Sequence, residues 1–384
     1  MATYDIIIIG AGAMGSAAAY HAAKAGLRVL LIEQFEIDHQ YGSSYGLSRI
    51  IRYAYTDPVY VKLAKAVYPM WAALEAEAGE SLHLNTGGID FGKPDEKSFV
   101  ETLNSMRVMD IPHEIMSAAE AMKRYPQFHF DEDMIVAFQA DYGALRASRA
   151  VRAHVRLAQQ HGAELRDHTR VTAIRPLGDG VEVATASESG AATHSAARLI
   201  LTAGAWAKGL LASLDLTVPL QPVHTQEIYF DPAAHPEWYD AGNMPVFIQH
   251  IGWHTGEALY GIPSVDGSGV KVAVHGGPPV STEAGIDYTP DYELVKKVQS
   301  GAAGFLPDIG AGKLKNTRVC LYTMTPDEDF IIDPHPAYPQ IVIGSPCSGH
   351  GFKFSTLIGK ILVDLAVKGR SEHDLSRFRV TRFS

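Results

Sequence analysis

Residues 5–15 have the sequence DIIIIGAGAMG, in which an apolar β-branched run leads directly into a GxGxxG pattern. The run is typical of a parallel strand covered on both faces, and the Ala-rich stretch after it predicts a helix. A second apolar run at 28–32 ends at Glu33. Together these residues predict a complete βαβ unit.

The three glycines of the pattern each have a use in a dinucleotide site. Gly10 permits the tight turn, Gly12 lets the backbone approach a pyrophosphate, and Gly15 lets the helix pack closely on the strand. The helix N-terminus then presents N–H groups and a positive partial charge to the phosphates. Glu33 stands near the position where an acid accepts a hydrogen bond from a ribose 2′-hydroxyl. The pattern fits NAD and FAD equally well.

Three features of the chain favour FAD. The βαβ unit opens at the N-terminus, Gly204 and Trp206 follow a late predicted strand, and Gly349 and Gly351 precede a C-terminal helix. A helix N-terminus so placed stabilises negative charge on the pyrimidine of a reduced flavin. We therefore predict an α/β protein with an FAD-binding Rossmann-like domain of the glutathione-reductase-like type.

The remaining pattern indicates a second, β-rich domain inserted into the first. Helical periodicity is found at 58–78, 95–125, 148–161, 290–305 and 355–367. Strands are predicted within 82–92 and at 171–174, 180–184, 198–201, 226–230, 245–248, 259–262, 270–274, 317–322 and 340–344. The short strands of 220–278 predict a largely antiparallel sheet. The predicted FAD-binding domain comprises 1–84, 145–220 and 318–384, and the predicted substrate domain comprises 85–144 and 221–317.

Composition excludes several classes of partner. The chain has 384 residues and a formal net charge of -10, which argues against nucleic acid or an anionic membrane surface. No apolar run approaches the roughly 20 residues of a membrane span. The only cysteines, Cys320 and Cys347, provide no disulfide framework and fit a reducing cytoplasm. We expect a cytoplasmic protein, with Cys347 as core filler.

Longer motifs resemble a known family. They are GSS at 42–44 with SRIIR at 48–52, VCLY at 319–322 with PDEDFIID at 326–333, and SGHGFKF at 348–354. With these strings the chain resembles monomeric sarcosine oxidase, N-methyltryptophan oxidase and peroxisomal pipecolate oxidase over nearly its whole length. The resemblance implies a monomeric FAD enzyme that oxidises a secondary amino acid with molecular oxygen. It also implies an imine and hydrogen peroxide as products, and no metal.

The resemblance assigns the substrate and cofactor contacts. Arg52 and Lys353 match the pair that holds the substrate carboxylate, for which a planar guanidinium fork and an ammonium charge are suited. Tyr322 matches an aromatic residue that lines the substrate cavity. Cys320 matches the cysteine that bonds covalently to the flavin. The full set of predicted cofactor contacts is Gly10, Gly12, Gly15, Glu33, Ser43, Arg49, Val171, Gly204, Trp206, Cys320, Gly349, Gly351 and Lys353.

Five residues are assigned to catalysis by the resemblance: Lys271, His275, Arg49, Tyr260 and His350. Lys271 alternates within an apolar strand, where an inward-facing ammonium is costly unless it has a function. In the family this lysine promotes oxygen reduction, because a fixed cation stabilises negative charge on oxygen. The histidines titrate near neutral pH and are suited to tuning the protonation of an amine.

The chain departs from the family at Tyr45, Leu47 and Ile262. These departures leave the amine open among sarcosine, other N-methyl amino acids, pipecolate and proline. A flavin dehydrogenase with a protein or quinone acceptor, a non-catalytic flavoprotein and an NAD-dependent enzyme are the alternatives.

Overall fold

The computed structural model describes residues 4–252, 258–282, 285–345 and 348–383, and Cys347 lies outside these described residues. The helices are α1 (Ala13–Lys24), α2 (Pro58–Ala78), α3 (Lys97–Val108), α4 (Ala118–Arg124), α5 (Ala147–Gln160), α6 (Ala207–Ala212), α7 (Tyr292–Ala303), α8 (Pro307–Gly310) and α9 (Ser355–Lys368). Strands up to residue 187 are β1 (Tyr4–Ile9), β2 (Val29–Ile32), β3 (Arg49–Ile51), β4 (His83–Asn85), β5 (Gly88–Gly92), β6 (Glu114–Ser117), β7 (Ile135–Gln139), β8 (Gly143–Leu145), β9 (Glu164–Arg166), β10 (Arg170–Pro176) and β11 (Val181–Ser187). Later strands are β12 (Gly190–Leu201), β13 (Gln221–Asp231), β14 (Val246–Gln249), β15 (Leu259–Ile262), β16 (Val270–Val274), β17 (Lys313–Met324), β18 (Ile331–Pro334) and β19 (Ile341–Ser345).

The first sheet has the order β10-β11-β12-β1-β2-β9, and β19 joins it beside β12 with β18 at its other edge. β1 pairs in parallel with both β2 and β12, and β19 pairs in parallel with β12. The isoleucines of β1 are buried because α1 and its neighbours cover one face of the sheet and antiparallel strands with loops cover the other. The predicted α/β fold with a Rossmann-like opening is confirmed.

The second sheet has the order β17-β13-β16-β15-β14-β5-β7-β6, and every pair in it is antiparallel except β14 with β5. The predicted, largely antiparallel sheet is therefore confirmed. A small third sheet has the order β3-β8-β4. Its first strand, β3, was not predicted; Arg49 begins this strand, Arg52 directly follows it, and both line the site described below. No helix in the described ranges is both long and apolar enough to cross a membrane.

Two of the differences from the sequence-based expectation concern a helix boundary and a domain boundary. The helix predicted over 95–125 is wrong in its middle: α3 ends at Val108, and β6 separates it from α4. Asp110 adopts a positive φ of 51°, and Pro112 disfavours helix at the residue before it. A capping box between Ser117 and Glu120 then begins α4. The predicted boundary at 317/318 falls inside β17, which pairs with β13 along its whole length; the domain division stays a prediction.

Helix α1 crosses α9 at a glycine. A Cβ at Gly359 would lie 2.6 Å from the backbone of Ala17 and Ala18. Only glycine therefore lets the two helices approach to this distance, which holds α1 and its N-terminus in place against the sheet.

We predict that Gly359→Ala destabilises the protein by about 1–3 kcal/mol. Alanine normally favours a helix over glycine by about 1 kcal/mol, but the clash here is with backbone, which cannot rotate away. The measurement is the free energy of unfolding in urea. Gly178→Ala is the control, because a Cβ there meets nothing within 4 Å; equal stability of both variants would contradict the prediction.

Candidate active site

A cavity of about 340 Å³ opens where β1, β12 and the N-terminus of α1 meet. Ten of the predicted cofactor contacts line it: Gly10, Gly12, Glu33, Ser43, Arg49, Val171, Gly204, Trp206, Gly349 and Gly351. Two glycines at its wall occupy positions where a side chain would clash with a neighbouring residue. Gly10 has a φ of 93°, and a Cβ there would lie 2.6 Å from the carbonyl oxygen of Thr202. At Gly12 a Cβ would lie 2.8 Å from Ser44 Oγ.

The cavity fits a dinucleotide cofactor. The first residues of α1 line it, so the helix N-terminus faces the space where a pyrophosphate is expected. Glu33 is also at its wall, and its Oε2 accepts a hydrogen bond of 2.8 Å from the backbone N–H of Ala11. Gly15 does not line the cavity; a Cβ there would lie 1.7 Å from the carbonyl oxygen of Gly10, so this glycine is required for packing.

A second cavity of about 260 Å³ adjoins the first. Four residues line both: Arg49, Tyr322, Gly349 and Phe352. All of the residues predicted for catalysis and substrate binding line the second cavity, namely Lys271, His275, Arg49, Tyr260, His350, Arg52, Lys353 and Tyr322. The structure thus brings together side chains that are up to 304 positions apart in sequence. Their individual roles stay predictions.

The second sheet positions one wall of this cavity. Lys271 on β16 is opposite Ile262 on β15 and Tyr229 on β13. Because side chains alternate along a strand, Tyr260 shares the face of Ile262, and Glu227 shares the face of Tyr229. On β17, Arg318 is the direct cross-strand partner of Glu227, and Cys320 and Tyr322 follow on the same face.

Glu227 is buried at the centre of a cluster of cations that sequence reasoning missed. Its carboxylate accepts a hydrogen bond of 2.6 Å from Lys271 Nζ, and it pairs closely with Arg49 and Arg318. Burial alone would raise the pKa of Glu227, but Arg49, Lys271 and Arg318 together hold it well below its usual range. The available signal was an acid in an apolar strand, the same signal that singled out Lys271.

The same surroundings act on the groups beside Glu227. Burial lowers the pKa of Lys271 to about 8, an effect that Glu227 opposes and Arg49 increases. Burial, followed by Glu227, raises the pKa of the Cys320 thiol to about 11. Cys320 is 4% exposed and does not reach the wall of either cavity, although Tyr322 two residues later lines both. The expected thiolate-favouring effect of the cations is present, but burial outweighs it.

Arg52 rests against a buried acid. Its Nη1 lies 3.6 Å from Asp90 Oδ1, and its guanidinium stacks 4.7 Å from the ring centre of Tyr55. The Asp90 carboxylate also accepts a hydrogen bond of 2.9 Å from the Tyr142 hydroxyl and contacts His250 Nε2 at 2.9 Å. Sequence reasoning missed this network, because Arg52, Asp90, Tyr142 and His250 come from four separate parts of the chain and share no local motif.

Lys353 has neutral partners. Its Nζ donates to the Tyr55 hydroxyl at 2.8 Å and to the carbonyl oxygen of His350 at 2.7 Å. Burial, with Arg52 nearby, holds the pKa of Lys353 well below its usual range. Burial likewise lowers the pKa of His275 to about 4 and that of His350 well below its ordinary value, with Lys353 adding to both shifts. Both histidines are therefore neutral at pH 7.

The three departures from the family lie in different environments. The ring of Tyr45 is covered by the guanidinium of Arg318 at 4.2 Å. Leu47 is 47% exposed, whereas Ile262 is buried in the wall of the second cavity. No cluster of His, Cys, Asp and Glu among the described residues is arranged to hold a metal ion.

Comparison with known proteins places this chain in a family. A family described as FAD dependent oxidoreductase matches residues 5–365. The chain is 36% identical over 388 residues to monomeric sarcosine oxidase of Streptomyces avermitilis, covering 100% of this chain and 98% of that protein. N-methyl-L-tryptophan oxidase of Yersinia pestis is 33% identical over 383 residues, covering 99% of both.

The fold recurs in solved structures. NikD, titled an unusual amino acid oxidase essential for nikkomycin biosynthesis, superposes with a TM-score of 0.85 at 24% identity and covers 99% of this chain and 98% of its own. The predicted likeness to sarcosine oxidase and N-methyltryptophan oxidase is confirmed. Since the family match spans the βαβ unit, the cation-rich sheet face and most of α9, the chain belongs to the FAD dependent oxidoreductases.

Proposed function

We propose that this protein is an FAD-dependent oxidase of a small secondary amino acid, with molecular oxygen as electron acceptor. The observation that carries the proposal is the convergence of the cationic side chains of Arg49, Arg52, Lys271 and Lys353 on one small cavity that adjoins a glycine-lined dinucleotide cavity. The relatives named for sarcosine and N-methyl-L-tryptophan support an N-methyl substrate. Bound FAD supplies a two-electron acceptor for the CH–NH bond.

Lys353 and Arg52 bind the substrate carboxylate in this proposal. In the part of the chain that the structure describes, Lys353 contacts neutral oxygen atoms. A buried ammonium is stabilised by a negative partner, and the substrate carboxylate supplies that negative charge. Arg52 adds a planar donor from the adjacent strand end. The two cations thereby orient the amino acid, and orientation of a bound reactant lowers the barrier to reaction.

The remaining wall prepares the amine and excludes water. His275 and His350 are neutral, so neither repels an ammonium group that arrives with the zwitterion, and a neutral imidazole accepts hydrogen bonds. Tyr260 and Tyr322 approach each other to 3.5 Å between hydroxyl oxygens and close one side of the cavity. Lys271 holds a fixed positive charge where negative charge develops on oxygen.

Several finer points are part of the proposal. Cys320 forms the covalent flavin link; its position two residues before Tyr322, on the same strand face, supports this. The name of the Streptomyces relative supports a monomer. A cytoplasmic location stays a prediction from the cysteine count. An acceptor other than oxygen is the principal alternative.

Oxygen uptake should test the reaction class directly. We expect sarcosine or another N-methyl or cyclic amino acid to drive oxygen consumption with stoichiometric peroxide. The matched amine without a carboxylate, such as dimethylamine, should react roughly tenfold more slowly or worse, since a charged hydrogen-bond pair is lost. Reduction of the bound flavin without oxygen uptake would instead indicate a dehydrogenase.

Lys271→Met should slow the oxygen half-reaction roughly 10²-fold while leaving anaerobic flavin reduction largely intact. Stopped-flow measurement of the two half-reactions separates these effects. In the wild type, the oxygen half-reaction should fall as pH rises through about 8, because Lys271 loses its proton there. The variant should show no such decline. Equal losses in both half-reactions would contradict the oxygen role.

Cys320→Ala should release its flavin on acid precipitation, whereas the wild type should retain flavin on the protein. The physical reason is loss of the one thiol that the described part of the chain places beside this site. Absorbance of the supernatant and the intact mass of the denatured protein are the measurements. Free flavin from both proteins would contradict covalent attachment.

A further inference from the structure

Neither the proposed substrate contacts nor the cofactor cavity explains Glu227. It is 2% exposed and lines neither cavity, yet it is the carboxylate shared by Lys271, Arg49 and Arg318. A buried carboxylate with three cationic partners has a high cost of desolvation, which close pairing offsets. Such an arrangement sets the charge and orientation of its partners.

We propose that Glu227 is a positioning residue of the oxygen-reacting site, which keeps Lys271 protonated and aimed along the face of the second sheet. The proposal rests on the oxygen role of Lys271 given under Proposed function. Glu227 acts through Lys271 and does not itself line the cavity.

Lys271 and Glu227 are in direct contact on the second sheet. Lys271 Nζ lies 2.6 Å from Glu227 Oε1, and both side chains are 3% exposed. Lys271 is opposite Tyr229, two residues after Glu227, so the two groups are diagonal neighbours on one face. The ammonium is therefore held by its own sheet, independently of any ligand.

The charges around Lys271 explain why the carboxylate is needed. Arg49 on β3 repels the Lys271 cation, and Arg318 on β17 adds a further positive charge beyond Glu227. The other titratable groups facing it are Tyr229 on β13, Tyr260 on β15 and Cys320 on β17. Among the described groups named here, Glu227 is the one that carries a negative charge at pH 7 in its ordinary ionisation state. It is therefore the group that favours the protonated form of Lys271.

Arg318 and Arg49 pair with the carboxylate, and both also contact Tyr45. Arg318 is the cross-strand partner of Glu227 and covers the ring of Tyr45, and Arg49 Nη2 donates to the Tyr45 carbonyl oxygen at 2.7 Å. Gly46 makes room for this arrangement, since a Cβ there would lie 3.1 Å from Glu227 Oε1. The departure at Tyr45 is thus part of the same cluster.

Glu227→Gln tests the proposal in the flavin-loaded enzyme. Titration of the side-chain Cε resonance of Lys271 in 13C-lysine-labelled protein, assigned by its absence from Lys271→Met, reports the charge directly. We expect the titration midpoint to fall by at least one pH unit, and each unit below the assay pH reduces the protonated fraction about tenfold. The oxygen half-reaction should fall with it, while anaerobic reduction is retained.

Asp231→Asn is the matched control. Asp231 ends the same strand and pairs with Lys315 at 2.8 Å, but this pair is solvent-exposed. We expect this variant to leave both the resonance and the oxygen half-reaction unchanged. Adding Glu227→Gln to Lys271→Met should cause no further loss of the oxygen half-reaction, because the carboxylate acts through the lysine.

Arg318→Gln provides a second variant in case Glu227→Gln does not fold. Arg318 pairs with Oε2 and Lys271 with Oε1 of the same carboxylate, so loss of the Arg318 charge should leave the lysine titration in place or move it upward, opposite to Glu227→Gln. A downward shift, or an unchanged midpoint in Glu227→Gln, would overturn the proposal. If Lys271→Met reacts normally with oxygen, the oxygen role fails by itself, whereas the titration still decides whether Glu227 holds the charge.

Discussion

The register between β13 and β17 is the constraint on which the site depends. These strands pair from Gln221 opposite Met324 to Asp231 opposite Lys313, which sets Glu227 against Arg318 and Thr225 against Cys320. A slip of one residue would turn every one of these side chains to the other face of the sheet. One long strand pair thus determines that a carboxylate, a guanidinium and a thiol share a buried surface beside the flavin cavity.

The two cavities meet because two unrelated parts of the fold end at the same place. Glycines at the end of β1 leave space for the cofactor. One face of the second sheet lines the adjoining cavity with polar side chains. Arg49 and Tyr322 belong to both walls. Charges in such a place are shielded from water, so each has a stronger effect on its neighbours than it would at the surface.

The sequence alone predicted those parts of the structure in which a local pattern has a single structural solution. The βαβ opening and Lys271 were predictable, because glycine spacing and an inward lysine each imply their surroundings. Glu227, like Lys271, is a charged residue in a buried strand. Its partners could be identified only from the strand register, which the sequence does not give. The Asp90 network was beyond prediction, since Asp90, Tyr142 and His250 meet only in three dimensions. By contrast, the helix expected across Pro112 was wrong because of a backbone constraint that the sequence itself shows.

The cations around the substrate cavity differ in how completely the protein balances them. Lys271 is paired with Glu227, and Arg52 is within 3.6 Å of Asp90, but Lys353 contacts neutral oxygen atoms. In the proposed binding mode, a substrate carboxylate therefore gains most at Lys353, where it replaces no existing ion pair. Arg52 is already held by Asp90 and Tyr55, so in this proposal it orients the carboxylate more than it balances its charge. In the proposed function, recognition of the acid group therefore falls chiefly to Lys353 in the short 3₁₀ turn before α9, and the oxygen chemistry falls to the sheet face.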